Sequence, residues 1–428
     1  MIEILERAAA EQPSVAAVIA DDGAMTYRQL RDELRPATGR QTIALPNGRR
    51  WLTAFWSAMA GEAAVLSLNP RGRPDEVDYI KADFHAGDLP GGDVRVVQYT
   101  AGTSGRPKGA LLTADGLATV AAGHARSWAL NPGDVVFVPN PASHIMGLVL
   151  GCLMPAVGRA TVLTMDRFEP GRALELIERH RPVAMAGTPT HYHMLAEHPD
   201  LGSRDVGSLR FGLAGGAAST PEAIRTVMDR LGLEALLNGY GMSEASGSIS
   251  RTELGDAVEA HAQSVGHPMP WLETRLVDGQ LEIRGKPVCS GYLGDSTPIV
   301  DDQGWFATGD LFDVDPAGRL LFRGRLQDVL NIGGFNVYPA EIERVLEANA
   351  AILQAQVVGI PEARLGEVPV AFVRLAVGAA LDVAELGRFC KERLSGYKVP
   401  REFRPMDQFP LNGAGKIEKY KLRQLAVR

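Results

Sequence analysis

The chain has 428 residues, of which 45% are hydrophobic, and its formal net charge is -7. This length is too great for one ordinary core and predicts two or three packed units. A mean hydropathy of -0.04 is typical of a globular protein. Because nucleic-acid binding usually requires a strongly basic surface, this acidic chain is not expected to bind nucleic acid.

Three cysteines, Cys152, Cys289 and Cys390, are widely spaced and form no Cys-x-x-Cys pair. They predict buried thiols in a reducing compartment rather than disulfides or a zinc site. The first residues lack the basic and then apolar layout of a signal peptide. The longest apolar stretch, 145–158, contains Pro155 and falls short of the roughly 20 residues that a membrane span requires. We therefore expect a cytoplasmic enzyme that does not enter a membrane.

In chain order, short runs rich in Val and Leu alternate with longer segments of helical period. This alternation predicts an α/β fold with parallel strands joined by crossover helices. The predicted strands cover residues 94–99, 135–138, 160–163, 183–186 and 209–213. The predicted helices cover residues 113–128, 170–180 and 221–231. Ligand sites in such folds lie at strand ends and in the loops that follow them.

From residue 301 onward the pattern changes to alternating segments separated by turn residues. The turn signals at 301–304, 315–318 and 324–325 predict hairpins. Beyond them, helices at 339–349 and 383–394 and strands at 354–359 and 368–375 predict a small α+β domain. We expect a large N-terminal domain of βα-layered sheets, 1–326, and a C-terminal domain, 327–428.

Residues 99–109 read Tyr-Thr-Ala-Gly-Thr-Ser-Gly-Arg-Pro-Lys-Gly, which is the composition of a loop that wraps a polyphosphate. Gly102 and Gly105 permit a close backbone approach, while Thr100, Thr103 and Ser104 offer amides and hydroxyls to phosphate oxygens. The segment is not a Walker A loop, because Lys108 follows proline and precedes no Ser or Thr. A plain surface turn is the alternative interpretation of these residues.

Further motifs follow in a fixed order along the chain. They are Asn-Gly-Tyr-Gly-Met-Ser-Glu (238–244), Thr-Gly-Asp (308–310), Gly-Arg-Leu-Gln-Asp (324–328), Asn-Ile-Gly-Gly-Phe-Asn-Val-Tyr-Pro (331–339) and Pro-Leu-Asn-Gly-Ala-Gly-Lys (410–416). Each motif alone is weak, but the ordered set resembles the adenylate-forming superfamily of acyl-CoA synthetases, peptide synthetase adenylation domains and firefly luciferase. The resemblance runs from the Thr-Tyr-x-x-Leu element at 26–30 to Lys416.

The resemblance implies roles for individual residues in binding ATP and AMP. Glu244 matches the position that holds Mg²⁺ against the phosphates, and Ser243 stands where a threonine hydroxyl usually meets the α-phosphate. Asp310 matches the carboxylate that accepts the ribose hydroxyls, and Arg325 matches an arginine that contacts the sugar. The adenine slot is expected to be formed by Gly215, Gly216, Ala217, Asn238, Gly239 and Tyr240.

The resemblance also implies roles outside the nucleotide site. Lys416 matches the lysine that bridges the acid and the α-phosphate, and His144 fits the gate between the acid pocket and the thiol tunnel. Gln327 stands at the hinge between the domains, where the C-terminal domain is expected to rotate. Gly333 and Gly334 match the loop that lines the pantetheine channel, in the form found in acyl-CoA synthetases.

The sequence departs from the superfamily pattern at three places. The βα units that usually precede the phosphate loop are reduced to a short connection between 86 and 93, Ala101 replaces a frequent serine, and Gln327 replaces Asp or Lys. We expect the acid pocket between His144, the segment 188–192 and the strand end 212–217, where small residues leave room.

The whole pattern predicts an acyl-CoA ligase that uses a carboxylic acid, ATP, Mg²⁺ and CoA. One alternative is an adenylation enzyme that loads a carrier protein. Another is an enzyme specialised for the thioester-forming step, which receives acyl-adenylate from a partner enzyme. The third is a nucleotide-binding protein without catalytic activity.

Overall fold

The structure is a computed structural model that describes residues 1–90, 92–100, 106–216, 221–376, 378–410 and 417–427, without the side chains of 221 and 222. Its helices are α1 (Ile2–Glu11), α2 (Tyr27–Glu33), α3 (Arg49–Ala60), α4 (Pro74–Ala86), α5 (Ala114–Ser127), α6 (Ile145–Leu148), α7 (Met154–Gly158), α8 (Pro170–His180), α9 (Pro189–Ala196), α10 (Pro221–Leu231), α11 (Val258–Gln263), α12 (Pro339–Glu347), α13 (Val383–Lys391) and α14 (Lys419–Ala426). A π-helical turn, Val149–Leu153, joins α6 to α7.

The strands are β1 (Ala16–Ala20), β2 (Gly23–Thr26), β3 (Arg40–Ile43), β4 (Ala64–Ser67), β5 (Val94–Thr100), β6 (Lys108–Thr113), β7 (Val135–Phe137), β8 (Thr161–Leu163), β9 (Ala184–Gly187), β10 (Phe211–Gly215), β11 (Ala235–Tyr240), β12 (Ser250–Arg251), β13 (His267–Pro268), β14 (Glu273–Val277), β15 (Gln280–Arg284), β16 (Phe306–Val314), β17 (Leu320–Arg325), β18 (Leu330–Ile332), β19 (Phe335–Val337), β20 (Ile352–Glu362), β21 (Gly366–Leu375) and β22 (Glu402–Pro405).

The largest sheet has nine strands in the order β13-β12-β11-β10-β9-β7-β8-β1-β2. Its centre, from β11 to β1, is parallel, and the outer strands are antiparallel. The register of β10 and β11 places Gly215 opposite Gly239 at their carboxyl ends. Ligand sites form at such ends because the following loops gather at one edge of the sheet.

A second sheet, β3-β4-β5-β6, carries the phosphate-loop motif. Strands β3, β4 and β5 are parallel, whereas β6 is antiparallel to β5 and places Lys108 opposite Thr100. The motif therefore connects two paired strands, although its residues 101–105 lie outside the described part of the chain. The sequence prediction missed β6, because it placed only a loop between the first strand and the helix beginning at 113.

Helix α8 shows how the local sequence determines an element. Pro170 occupies the first turn, and the Glu169 carboxylate accepts hydrogen bonds from the amides of Gly171 and Arg172 at 3.0 and 2.6 Å. Such caps satisfy amides that have no partner inside the helix. Residues 173, 174, 176 and 177 are buried on one face, and Arg181 ends the helix with a φ of 47°. Helix α8 begins and ends where it was predicted.

The chain divides into two compact units. The first contains Met1–Thr274, Ile283–Phe306 and Gly318–Leu320, and the second contains Arg275–Glu282, Ala307–Ala317 and Leu321–Arg428. Within the second unit, the apolar faces of β18, β20, β21, α12 and α13 enclose one core. The expected domain boundary at 326 stays a prediction.

Helix α10 also has its predicted bounds. The remaining predicted elements are present, each with at least one end that differs by one to three residues, and the predicted turn at 315–318 joins β16 to β17. One turn prediction is wrong, since residues 324–325 lie inside β17. No helix among the described residues combines the length and apolar character needed to cross a bilayer.

Candidate active site

Glu244 lies on a single 3-10 turn, Ser243–Ala245, that follows β11 and packs against β5 and β6. The amides of Ala245 and Gly247 both donate to the Met242 carbonyl, at 3.1 and 2.9 Å. Ser246 then adopts a left-handed φ of 53°. This tight path fixes the half-buried Glu244 side chain at the end of the nine-stranded sheet.

Gly241 is required for this turn, because a Cβ there would lie 2.1 Å from the Gly247 carbonyl oxygen. We expect Gly241→Ala to lower the free energy of unfolding by about 1–3 kcal/mol, as overpacking does elsewhere. Denaturant unfolding measures this loss. Gly202→Ala is the matched control, since no atom lies within 4 Å of its added Cβ. Equal stability of the two variants would show that the turn does not need a glycine.

Two hydroxyl groups hold the Glu244 carboxylate. Tyr292 donates to Oε1 at 3.0 Å, and the Thr100 hydroxyl, at the end of β5, donates to the same oxygen at 3.4 Å. Burial raises the pKa of the Tyr292 phenol, and the neighbouring Glu244 charge raises it further. The phenol therefore remains protonated and acts as a donor at neutral pH.

Tyr292 was not predicted from the sequence. The segment 289–293 pairs with β6: Leu111 donates to the Gly291 carbonyl at 3.0 Å, and Leu293 donates to the Gly109 carbonyl at 2.8 Å. This pairing joins residues about 180 positions apart, which no local pattern can indicate. The available signal was a tyrosine in the Gly-Tyr-Leu-Gly segment (291–294), which lies between the motifs at 238–244 and 308–310.

Lys108 begins β6 beside this cluster. Its Nζ lies 4.0 Å from an oxygen of Asp295 and 5.2 Å from the centroid of the Tyr292 ring. Since the Lys108 side chain is 47% exposed, its ion pair with Asp295 is weak and leaves the charge available to phosphates. The structure therefore brings together Thr100, Lys108 and Glu244 among the predicted residues. Gly102, Thr103, Ser104 and Gly105, together with Ala101, lie outside the described residues.

The predicted adenine slot lies at the ends of β10 and β11. Gly215 and Gly239 face each other, and Gly216 follows with a left-handed φ of 89°. The Asn238 side-chain amide donates to the Ser264 carbonyl at 2.9 Å, so it supports the strand end. Tyr240 is the half-buried last residue of β11. Ala217, the remaining member of the predicted set, lies outside the described residues.

His144 precedes α6, and its Nδ1 accepts a hydrogen bond from the Met146 amide at 3.3 Å. The methyl group of Met146 lies over Gly215, where an added Cβ would be 2.9 Å from it. At one end of the expected acid pocket there is no free space beside Gly212, while the pocket as a whole stays a prediction. The fully buried Tyr192 ring fills that position, and its hydroxyl donates to the Met185 carbonyl at 2.6 Å.

In the second unit, Asp310 and Arg325 form the other predicted pair. Asp310, on β16, is 4% exposed, and its carboxylate lies 3.5 Å from Nε of Arg325 at the end of β17. Gly309 precedes it with a φ of 74°, and Thr308 anchors the bend through a 2.7 Å hydrogen bond to the Leu281 carbonyl. The structure thus places the two residues that were assigned to the sugar next to each other.

The remaining predicted residues also belong to the second unit. Gln327 is exposed on a 3-10 turn, 326–328, where Arg423 binds Asp328 at 2.8 Å. Gly333 and Gly334 form an exposed two-residue turn between β18 and β19, with φ values of 60° and 87°. Both angles favour glycine, as in the tight hairpin turns of type I′. Lys416 lies outside the described residues.

The model of the AMP-binding enzyme family matches residues 84–293, and that of the AMP-binding enzyme C-terminal domain matches residues 341–416. The chain belongs to the AMP-binding enzyme family. The matched regions contain Thr100, Lys108 and Glu244 in the first unit and the end of the chain near Lys416 in the second. The expected superfamily resemblance is therefore confirmed.

Two bacterial relatives show the extent of the similarity. YngI of Bacillus subtilis (strain 168) is 34% identical over 346 residues, which are 77% of this chain and 63% of YngI. The 3-[(3aS,4S,7aS)-7a-methyl-1,5-dioxo-octahydro-1H-inden-4-yl]propanoyl:CoA ligase of Mycobacterium tuberculosis (strain ATCC 25618 / H37Rv) is 37% identical over 337 residues, which are 78% of this chain and 66% of that protein. The chain thus spans less than two thirds of each relative.

Among solved structures, the ATP-bound RpMatB–BxBclM chimera B1 superposes with a TM-score of 0.87 at 25% identity. The match covers 99% of this chain and 98% of that one. The structural neighbours share a large N-terminal and a small C-terminal domain, which confirms the predicted α/β fold class.

Proposed function

We propose that this AMP-binding enzyme is an acyl-CoA ligase: it joins a carboxylic acid to AMP with release of pyrophosphate, and CoA then displaces AMP. The observation that carries the proposal is the Glu244 carboxylate, held by Thr100 and Tyr292 beside Lys108 at the ends of the phosphate-loop strands. The names of relatives support the same activity.

The first step requires that an acid carboxylate approach a phosphate. At 4 Å and an effective dielectric of 20, two such charges repel by about 4 kcal/mol. Lys108 supplies one positive charge at the loop, and Lys416 is proposed to supply another between the carboxylate and the α-phosphate. Ser243, one residue before Glu244, is proposed to donate to the same phosphate. These donors act where negative charge accumulates in the transition state.

The residues present fit a magnesium ion at Glu244. Magnesium prefers oxygen ligands and is commonly held by one or two carboxylates together with substrate phosphates. Both side-chain hydrogen bonds that Glu244 makes to described residues use Oε1, so the carboxylate has a fixed orientation. A bound Mg²⁺ would neutralise phosphate charge and polarise the oxygens.

For the second step, we propose free CoA as the thiol acceptor. The exposed Gly333–Gly334 turn presents backbone without side chains, which suits the passage of a narrow pantetheine arm. We propose that residues 327–428 rotate about Gln327 between the two steps. A carrier protein is the alternative acceptor, and faster acyl transfer to a phosphopantetheinyl protein than to CoA would favour it.

The identity of the acid is addressed by the name of one relative and by a panel of acids. The relative from Mycobacterium tuberculosis is named for a propanoic acid that carries a bicyclic dioxo ring system. We therefore propose a panel of aliphatic, aryl and polycyclic acids, incubated with ATP, Mg²⁺ and CoA and analysed for CoA esters by mass spectrometry. A CoA ester from at least one acid is expected, and the absence of AMP and ester across the panel would refute the ligase.

A cytoplasmic location is also proposed, since all three cysteines are free and buried.

Tyr292→Phe removes one of the two hydroxyl groups that hold Glu244 and retains the aromatic ring. A hydrogen bond to a charged group contributes about 1.5–3 kcal/mol, so we expect about a tenfold higher Mg²⁺ requirement in pyrophosphate release. Tyr99→Phe is the matched control, because its hydroxyl donates to Asp83 instead, at 2.6 Å. Identical Mg²⁺ titrations of the two variants would show that Tyr292 does not orient the carboxylate.

Asp310→Ala should weaken the binding of ATP and of the acyl-adenylate together, since both contain the ribose. Because the variant removes the hydrogen bonds from the ribose hydroxyls to the carboxylate, its affinity for ATP is expected to fall by about tenfold or more. Calorimetric titration with ATP measures it. Asp313→Ala is the matched control, an exposed carboxylate on the same strand that pairs with Arg323 at 2.9 Å. Normal ATP affinity in Asp310→Ala would move the ribose site elsewhere.

A further inference from the structure

A cavity of about 280 Å³ lies in the first unit between α5, β12 and the segment 267–271. This volume corresponds to about nine water molecules and approaches the size of small-ligand sites. Three basic side chains, Arg126, Arg251 and His267, contribute to its wall, together with Trp271 and Glu253. None of these residues has a role in the proposed ligase reaction.

The cavity lies on the opposite face of the nine-stranded sheet from Tyr240. In the pairing of β11 with β12, Ser250 faces Tyr240, and Arg251 faces Gly239. Neighbouring residues of a strand point to opposite faces, so Arg251 points away from the Tyr240 side. Its Nη1 accordingly donates to Ser127 Oγ on α5, at 3.1 Å. The cavity is therefore separated from the Tyr240 ring of the proposed adenine slot, whereas Gly239 of that slot pairs directly with Arg251.

Arg251 is the group that indicates a ligand. Only 7% of the residue is exposed, and its buried Nε has no hydrogen-bond partner among the described residues. Burying a charge that makes only one side-chain hydrogen bond costs free energy unless an anion pairs with that charge. Burial lowers the pKa of the Arg251 guanidinium, and the nearby Glu253 charge partly offsets this decrease. Arginine pairs with carboxylates through two parallel hydrogen bonds.

Trp271 supplies the other wall. Its ring packs edge-on against His124 at 5.6 Å and occupies the position where a Cβ of Gly123 would lie, 1.8 Å away. Its buried indole Nε1 also lacks a partner in the described part of the chain. An aromatic wall beside a buried cation suits an organic anion better than a hydrated inorganic one. The exposed Glu253 at the cavity disfavours a doubly charged phosphate.

We propose that this cavity binds the carboxylate of a compact organic acid, with the carboxylate on Arg251 and Arg126 and the carbon body against Trp271. The carboxylate could belong to a separate small molecule or to the second acid group of a dicarboxylic substrate, since both offer the same chemistry. Binding of a carboxylate in this cavity is independent of the ligase activity, whereas its assignment to a dicarboxylic substrate rests on the proposed function.

The test uses the full chain with ¹⁵N-labelled tryptophan. The five tryptophans give five indole N–H signals, and Trp271→Phe assigns the relevant one. Benzoate should shift the Trp271 signal in a saturable manner, whereas the neutral benzamide and inorganic phosphate should bind at least about tenfold more weakly. Absence of a benzoate shift at millimolar concentration, or an equal response to benzamide, would overturn the proposal.

Arg251→Leu should abolish the benzoate shift, whereas Arg210→Ala, an exposed arginine outside the cavity, should preserve it. If Arg251→Leu does not fold, Arg126→Ala provides the second variant and should weaken binding about three- to tenfold. Unchanged benzoate affinity in a folded variant would contradict the site. The acid panel identifies the source of the carboxylate. If Arg251→Leu selectively loses activity toward a dicarboxylic acid, the carboxylate belongs to the substrate. If the activity toward every acid is unchanged, the carboxylate belongs to a separate molecule.

Discussion

Replacing Glu244 with glutamine should slow acid-dependent pyrophosphate release roughly a hundredfold or more. Glutamine retains the size of the side chain and can still accept hydrogen bonds from Tyr292 and Thr100, so the turn should remain folded. It removes the charge that would hold Mg²⁺, and a Lewis-acid metal supplies several kcal/mol of charge stabilisation. A loss of about 3 kcal/mol corresponds to about a hundredfold in rate.

The Mg²⁺ dependence separates this effect from a general loss of structure. Glu259→Gln is the matched control, because Glu259 is an exposed carboxylate fifteen residues further along the chain and pairs with Arg225. It should match the wild type in Mg²⁺ titrations and in thermal unfolding. If Glu244→Gln is as active as this control at limiting Mg²⁺, the carboxylate does not bind the metal and the candidate site is wrong.

Lys416→Ala should slow adenylation by about 10²–10³-fold and leave CoA transfer from supplied acyl-adenylate unchanged. The reason is that a positive charge aimed at the developing transition state contributes about 3–4 kcal/mol to one step only. The two steps are measured separately, by pyrophosphate release from acid and ATP and by CoA ester formation from synthetic acyl-adenylate.

Lys391→Ala provides the control for this prediction, since Lys391 is an exposed lysine at the end of α13 in the same unit. It should leave both steps intact. Equal losses in adenylation and in CoA transfer would assign Lys416 a structural role. An unchanged adenylation rate would remove Lys416 from the reaction altogether.

Elements with local signals were predictable from the sequence. Helices α8 and α10 have the predicted bounds, because a proline opens each helix and apolar residues repeat with helical period. The glycine pairs at 215–216 and 333–334 were recognised through the family resemblance, and the positive φ of Gly216, Gly333 and Gly334 in the structure favours glycine.

Residues positioned by distant pairing were not predictable. Tyr292 reaches Glu244 only because the segment 289–293 pairs with β6, and the sequence contains no periodic pattern there. Arg251 resembles an ordinary polar residue after the Glu244 motif, yet the pairing of β12 with β11 buries it. Beside Gly212, one residue of the expected acid pocket, the Tyr192 side chain from α9 fills the space, which the sequence pattern did not indicate.

The central claim is that this chain itself activates a carboxylic acid as an adenylate. It is tested most directly by ATP–pyrophosphate exchange with an acid found in the panel, run beside CoA transfer from the synthetic acyl-adenylate. The proposed ligase predicts acid-dependent exchange at least as fast as overall CoA ester formation, and its loss in Glu244→Gln. CoA transfer without any exchange would contradict it and identify an enzyme of the thioester-forming step alone.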